Sequence, residues 1–205
     1  MKKSGWVLCY ASTRLMDDKD VVIEAVGNNG MALRDASERL KNDIEVVMRA
    51  LENNGSALEY ASKNMKEDGE VVLKAVSQQG FALNFASETL KEDPEIVVQA
   101  VRKDGLVLEL ASNEMKEDYD VVLEAVKQNG LALKFASLLQ RDEDEIVYQA
   151  VKQNGNAIRY ATGRLKDNHK IVLEAVRQSG GIIREASKKM QSNREIIINA
   201  VEQFA

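Results

Sequence analysis

Glycine recurs at Gly5, Gly30, Gly55, Gly80, Gly105, Gly130, Gly155 and Gly180, 25 residues apart at every step and without an insertion. Alanine keeps two further columns through the same eight copies, Ala11 to Ala186 and Ala25 to Ala200. The column of Val22 is valine at every step until Ile197. Glycine averages about 7% of residues in proteins, so three invariant columns in register are not a chance pattern. A period of this length marks a stacked architecture, in which each repeat buries its apolar face only against its neighbours.

Each repeat reads approximately D-x-[DE]-V-V-L-x-A-V-x-x-N-G-x-A-L-x-[FY]-A-S-x-x-L-K-[DE], which accommodates two short helices. The first follows an Asp column (Asp18, Asp43, Asp68, Asp93, Asp118). A carboxylate there can accept orphan N–H groups of the first turn. The only proline, Pro94, stands directly after Asp93, at the helical position where a missing N–H does no harm. Glu45, Glu70 and Glu95 then meet the positive end of the helix. The glycine column is expected to end this helix in a left-handed conformation.

The second helix is expected to run from just after the glycine to a Lys column (Lys41, Lys66, Lys91, Lys116, Lys166), where a cation suits the C-terminal turn. Val46, Val47, Met48, Ala50 and Leu51 make the first helix apolar nearly all round, as for a helix held between neighbours. Ala57, Leu58, Ala61 and Met65 give the second a narrower stripe. Apolar residues recur at spacings of three and four, and the alternation of a strand is absent. Helices of about ten residues are marginal alone in water. The expected fold is therefore all-α, an α-solenoid of 25-residue two-helix repeats with about seven full repeats and a half repeat at each end, forming one domain over residues 1–205.

Composition removes several classes of function. One cysteine, Cys9, excludes an internal disulfide, and Cys9 with the single histidine, His169, cannot make a Cys/His zinc site. No stretch approaches the roughly 20 apolar residues of a membrane span. The start, MKKSGWVLCYAS, lacks the long apolar run of a signal peptide. The expected location is the cytoplasm, or a host cell's cytoplasm for a delivered protein. No dinucleotide fingerprint, P-loop or H-E-x-x-H is present. His169 lies between Asn168 and Lys170 with no organised acid–base partner in view, and Cys9 reads as an inert thiol. The run Asp142, Glu143, Asp144, Glu145 leads straight into Ile146 and Val147, which suits helix capping rather than a calcium loop. No catalytic residue, cofactor or metal site is assigned, and a non-enzymatic protein is expected. The enzymatic alternative is an acidic pair acting across repeats, but nothing selects one pair from 33 acids.

Columns that vary mark the surface: Glu24, Arg49, Lys74 and Gln99 on the first helix, and Arg34, Glu59, Asn84, Glu109, Lys134 and Arg159 on the second. The first and fifth residues of the second helix, spaced i and i+4, are expected to share a face and stack into an apolar ridge. It comprises Tyr60, Phe81, Phe85, Leu106, Leu110, Leu131, Phe135 and Tyr160, with Trp6 and Tyr10 ahead of them. Such a ridge either seals the boundary between repeats or takes a partner helix or peptide. One copy departs from the pattern: Gln140 stands where others carry Leu or Met, after Leu138 and Leu139. A register shift that brings Leu139 into the core is expected; without it Leu138 and Leu139 form an exposed candidate contact patch.

Residues 43–117 hold 15 acids against 8 bases, so nucleic acid is not an expected partner. The basic stretch of Lys170, Arg177, Arg184, Lys188 and Lys189 reads as a solvated helix face. Trp6, Ile197 and Val201 show no polar substitution at the expected end faces, which points to a segment of a longer protein or to end-to-end association.

The stretch from Asp118 to Ser137, D-x-D-V-V-L-x-A-V-x-Q-N-G-x-A-L-x-F-A-S, resembles a family of short helical repeats known only as a numbered domain of unknown function (four-one-one-six). The resemblance covers nearly the whole chain. It implies a tandem helical scaffold that binds host or self proteins. Similar repeats are appended to effector proteins of intracellular bacterial pathogens and occur in proteins of some protists and large viruses. It supplies no chemistry and no catalytic residues. Asn168, His169 and Lys170 depart from the acidic start of the other copies. The expected function is a non-catalytic scaffold that binds a protein or peptide, as the interaction or targeting module of a secreted effector. The alternative is a structural spacer or self-assembly module of a larger protein.

Overall fold

The computed structural model describes residues 5–203, with the backbone alone at Gly5 and Trp6. It is a helical repeat fold with no strand among the described residues. Two compact units divide it, Met1–Lys103 and Asp104–Ala205. No helix among the described residues is long and apolar enough to cross a membrane.

Within the first unit, the α-helices Lys19–Asn28, Ile44–Asn53, Gly69–Gln78 and Pro94–Lys103 pack successively on one another. The second unit stacks Tyr119–Gln128, Asp144–Gln153, His169–Gln178 and Arg194–Glu202 in the same way. These helices start where the Asp column places them. Asp18, Asp43, Asp68 and Asp118 accept first-turn N–H groups, and Pro94 opens its helix directly after Asp93. Val46, Val47, Ala50 and Leu51 are fully buried, whereas Met48 is half-buried and Ile44 exposed. The helix is thus covered on two sides rather than all round.

The second helix differs from expectation. It is a six-residue 3-10 helix (Gly30–Asp35, Gly55–Tyr60 and their equivalents), followed by a separate short turn such as Glu38–Lys41 or Lys63–Lys66. The break falls at the invariant alanine, since Ala61 is extended at φ −66°, ψ 155°. Its cause is tertiary. The next residue, Ser62, gives its N–H to Lys41 O of the preceding repeat at 2.9 Å, so that N–H is lost to its own helix. Ser37, Ser87, Ser137, Thr162 and Ser187 repeat this bond within their units. The Ser62 hydroxyl then caps the new turn by accepting from Met65 N–H, a role for which serine is well suited.

The glycine column also has another reason than expected. No described residue has a positive φ. The helix ends on an extended residue, such as Asn54 at φ −153°, ψ 112°, whose side chain caps the 3-10 helix by accepting from Ser56 N–H. What demands glycine is the next repeat. A Cβ on Gly155 would meet Ala175 O at 2.8 Å, and on Gly30, Gly55, Gly105 and Gly130 the equivalent alanine carbonyl would be closer still. The glycine N–H is met from the same side: Gly30 donates to Asn53 Oδ1 at 2.9 Å, and Gly130 to Gln153 Oε1 at 2.6 Å.

The expected register shift at Gln140 does not occur. Gln140 is buried in the column of Leu40, Met115 and Leu165, while Leu138 and Leu139 are 71% and 63% exposed. The register is held upstream, because Ser137 N–H donates to Lys116 O and Ser137 Oγ accepts from Gln140 N–H. A shift would forfeit both bonds. Gln140 Nε2 donates to Glu117 O at 2.5 Å, but its Oε1 is buried without a partner. An unsatisfied buried acceptor costs about 1–3 kcal/mol. Gln140→Leu, which restores the residue type of the other copies, is expected to stabilise the second unit by about 1–2 kcal/mol, read as a higher unfolding midpoint.

Candidate interaction surface

The 3-10 winding rearranges the expected apolar ridge. With three residues per turn, residues three apart eclipse and residues four apart diverge by about 120°. Phe81 and Phe85 therefore do not share a face, and neither do Leu106 and Leu110 or Leu131 and Phe135. They belong to two columns. The first contains Phe81, which is 47% exposed, with Leu106 and Leu131 half-buried. The second contains Tyr60, Phe85, Leu110, Phe135 and Tyr160, all half-buried. Tyr60, Phe81 and Phe85 lie in the first unit and the rest in the second. The Trp6 side chain lies outside the described residues.

The position three residues after the first column, and so on its side of the 3-10 helix, is exposed in each of these repeats: Arg34, Glu59, Asn84, Glu109, Lys134, Arg159 and Arg184. Its charge changes at each step from Arg34 to Lys134 and then stays basic. Lys134 Nζ sits 4.2 Å above the Phe135 ring and partly shields it. The variable column on the first helix is less open: Glu24 and Arg49 are exposed, but Lys74, Gln99 and Gln149 are half-buried.

Polar contacts between repeats line the edge formed by the short turns. Ser37 Oγ donates to Asp17 and Ser187 Oγ to Asp167, both at 2.5 Å, and Thr162 Oγ1 donates to Asp142. These bonds hold the three carboxyls below the usual carboxylate range, with Arg39, Arg164 and Lys189 adding to the effect. Lys19 does the same for Asp43. The acidic run is thus used differently from a capping cluster. The helix cap Glu143 makes no side-chain cap bond, while Asp142 and Asp144 both receive Arg164. Such exposed pairs are screened by solvent and add little to stability.

His169 is exposed, with Nε2 3.2 Å from Glu195 Oε2. Among the described residues no three His, Cys, Asp or Glu side chains are grouped to hold a metal ion. Sequence reasoning missed one feature here. Lys170 Nζ lies 3.9 Å from the Tyr148 ring, beside a cavity of about 200 Å³ lined also by Asp144, Glu145 and Asn168. Tyr148 and Lys170 are in different repeats, so only their offset of roughly one period could have signalled the contact.

The model of a family described as Domain of unknown function (DUF4116) matches residues 1–38, 18–66, 68–116, 93–141, 118–166, 143–191 and 168–205. The longer matches span two of the 25-residue repeats each, and together they cover nearly the whole chain. No curated protein and no solved structure matches it.

Proposed function

The chain belongs to the DUF4116 family of tandem helical repeats, and from that premise we propose that it is a non-catalytic scaffold that binds a protein or peptide. One observation carries this reading. The columns that hold the fold (Gly55, Ala57, Ala61, Val72, Ala75) are constant in type or nearly so, while the exposed column changes charge at each step from Arg34 through Glu59, Asn84 and Glu109 to Lys134, and stays basic at Arg159 and Arg184. Repeat proteins recognise partners in this manner, by varied side chains displayed on a fixed core. Phe81 in the first unit and, separately, Leu138 and Leu139 in the second are exposed apolar candidate anchors. Covering what remains exposed of each would contribute about 1–2 kcal/mol. The effector setting implied by the resemblance belongs to the same proposal, and the resemblance alone supports it.

The test is affinity capture from host or target-cell extract with the wild-type chain. A variant with Phe81, Phe85, Leu110 and Phe135 changed to Ser is run beside it, after circular dichroism shows unchanged helicity. A second variant, Phe81→Ser with Leu139→Ser, alters exposed positions only and leaves the fold untouched. A protein held by wild type and released by either folded variant is the expected result. Equal capture by all three chains, or no specific capture, overturns the reading and leaves the spacer alternative.

A further inference from the structure

Positive charge in the second unit is set out in a row. Its exposed 3-10 column opens on Glu109 and then carries Lys134, Arg159 and Arg184 on three successive repeats, where the first unit has Arg34, Glu59 and Asn84. The 3-10 helices that bear these cations, Gly130–Phe135, Gly155–Tyr160 and Gly180–Glu185, pack one on the next. The cations therefore stand one repeat apart on a fixed frame, and packed helices lie about 8–10 Å from each other. Lys166 Nζ donates to Arg159 O at 2.9 Å and sets a fourth cation beside the row. Among the described residues these cations meet one carboxylate, that of Glu185, whose Oε1 lies 3.9 Å from Arg159 Nη2 and 3.8 Å from Arg184 Nε. Lys134 Nζ faces the Phe135 ring instead. Cations at the short-turn edge are matched more fully: Arg164 reaches both Asp142 and Asp144, and Lys189 reaches Asp167. The row thus keeps an excess of positive charge that the fold does not use.

We propose that Lys134, Arg159 and Arg184 take an acidic peptide in the polyproline II conformation, with a carboxylate on every third residue. This rests on the binding role proposed above and names the chemistry of the partner. A polyproline II chain has three residues per turn and rises about 9 Å per turn. Side chains three residues apart therefore share one face, at the spacing of the repeats. A β-strand does not fit, because residues three apart point to opposite faces and residues two apart are only about 7 Å from each other. An α-helix repeats a face every seven residues, about 10.5 Å, past the upper end of the helix spacing. The polyproline II backbone is solvated and asks for no ladder of hydrogen bonds, and the row offers side-chain charge alone. Arg159 and Arg184 can each turn two N–H donors on a carboxylate, which fixes its position as well as its charge. Glu109 limits the match to three acids, since a fourth in register meets a like charge there. A nucleic acid strand fits less well. Its phosphates recur about every 3.4 Å along a duplex strand, so a cation every 8–10 Å leaves most of them unmet.

Two labelled peptides of equal length test this by fluorescence anisotropy with the 205-residue chain. Each has three Glu in a background of Pro, on every third residue in one and on every second residue in the other. Charge and backbone conformation are then alike, and only the spacing differs. The first is expected to bind about tenfold more tightly and to weaken as salt is added. Lys134→Gln, Arg159→Gln and Arg184→Gln change exposed side chains. Each is expected to weaken binding of that peptide about threefold, and the three together about thirtyfold, with helicity unchanged by circular dichroism. Arg34→Gln in the first unit is expected to leave it unchanged. Glu185→Gln removes the one carboxylate and is expected to tighten binding about threefold, a gain that damage to the fold does not produce. No binding, equal binding of the two peptides, a triple variant that binds like wild type, or tighter binding of a single-stranded oligothymidylate of equal charge overturns the proposal. A partner captured from extract by wild type and triple variant alike overturns the charge row alone and leaves the scaffold reading standing.

Discussion

Gly130→Ala is expected to destabilise the second unit by about 3 kcal/mol, whereas Gly163→Ala is expected to stabilise it by about 0.5 kcal/mol. Both glycines have ordinary negative φ, so conformational freedom does not separate them. Space does. A Cβ on Gly130 would run into Ala150 O and Ala150 C of the next repeat, while a Cβ on Gly163 meets nothing within 4 Å. The obstacle at Gly130 is backbone, in the middle of the buried helix Asp144–Gln153, and it cannot turn aside as a side chain would. Relief requires the two repeats to move apart, which also strains the bond from Gly130 N–H to Gln153 Oε1. At Gly163, the first residue of its short turn, alanine only reduces the freedom of the unfolded chain. Thermal unfolding followed by circular dichroism reads both signs. Equal shifts for the two substitutions would show that the glycine column is not a close-approach column.

Leu133→Ala is expected to cost about 3 kcal/mol, and Leu139→Ala to stay within about 0.5 kcal/mol. Leu133 is fully buried in its 3-10 helix, so truncation leaves a cavity that the flanking helices cannot collapse into. Leu139 lies in solvent, in the place that the register shift would have filled with core. A cost above about 2 kcal/mol at Leu139 would restore the shifted register. Denaturant midpoints at constant slope distinguish the two outcomes.

Much of this was legible in the order of residues. The period, the Asp caps and Pro94 place every long helix to within a residue or two, because capping is a short-range bond between a side chain and the first turn. The buried valines follow from the spacing of apolar residues along one helix. Three readings failed together, at the glycine turn, in the second helix and at Gln140. Each had treated the repeat as if it were alone. The serine column was a visible signal for the break after Ala61, since serine favours a helix start over a helix interior. The candidate ridge was affected most, because pairing Phe81 with Phe85 assumed α-helical winding.

The sequence alone thus determined that the protein is a tandem helical repeat, where its long helices begin and which of their faces are apolar. These are properties of neighbours along one turn of chain. The tertiary structure decided that the second segment winds as a 3-10 helix, that glycine is present for room rather than for its φ, and that Gln140 keeps the core register. The deciding groups are Lys41 O beneath Ser62, Ala150 O against Gly130 and Lys116 O beneath Ser137, each about twenty residues away in the adjacent repeat. A backbone N–H claimed by the repeat next door is no longer available to its own helix.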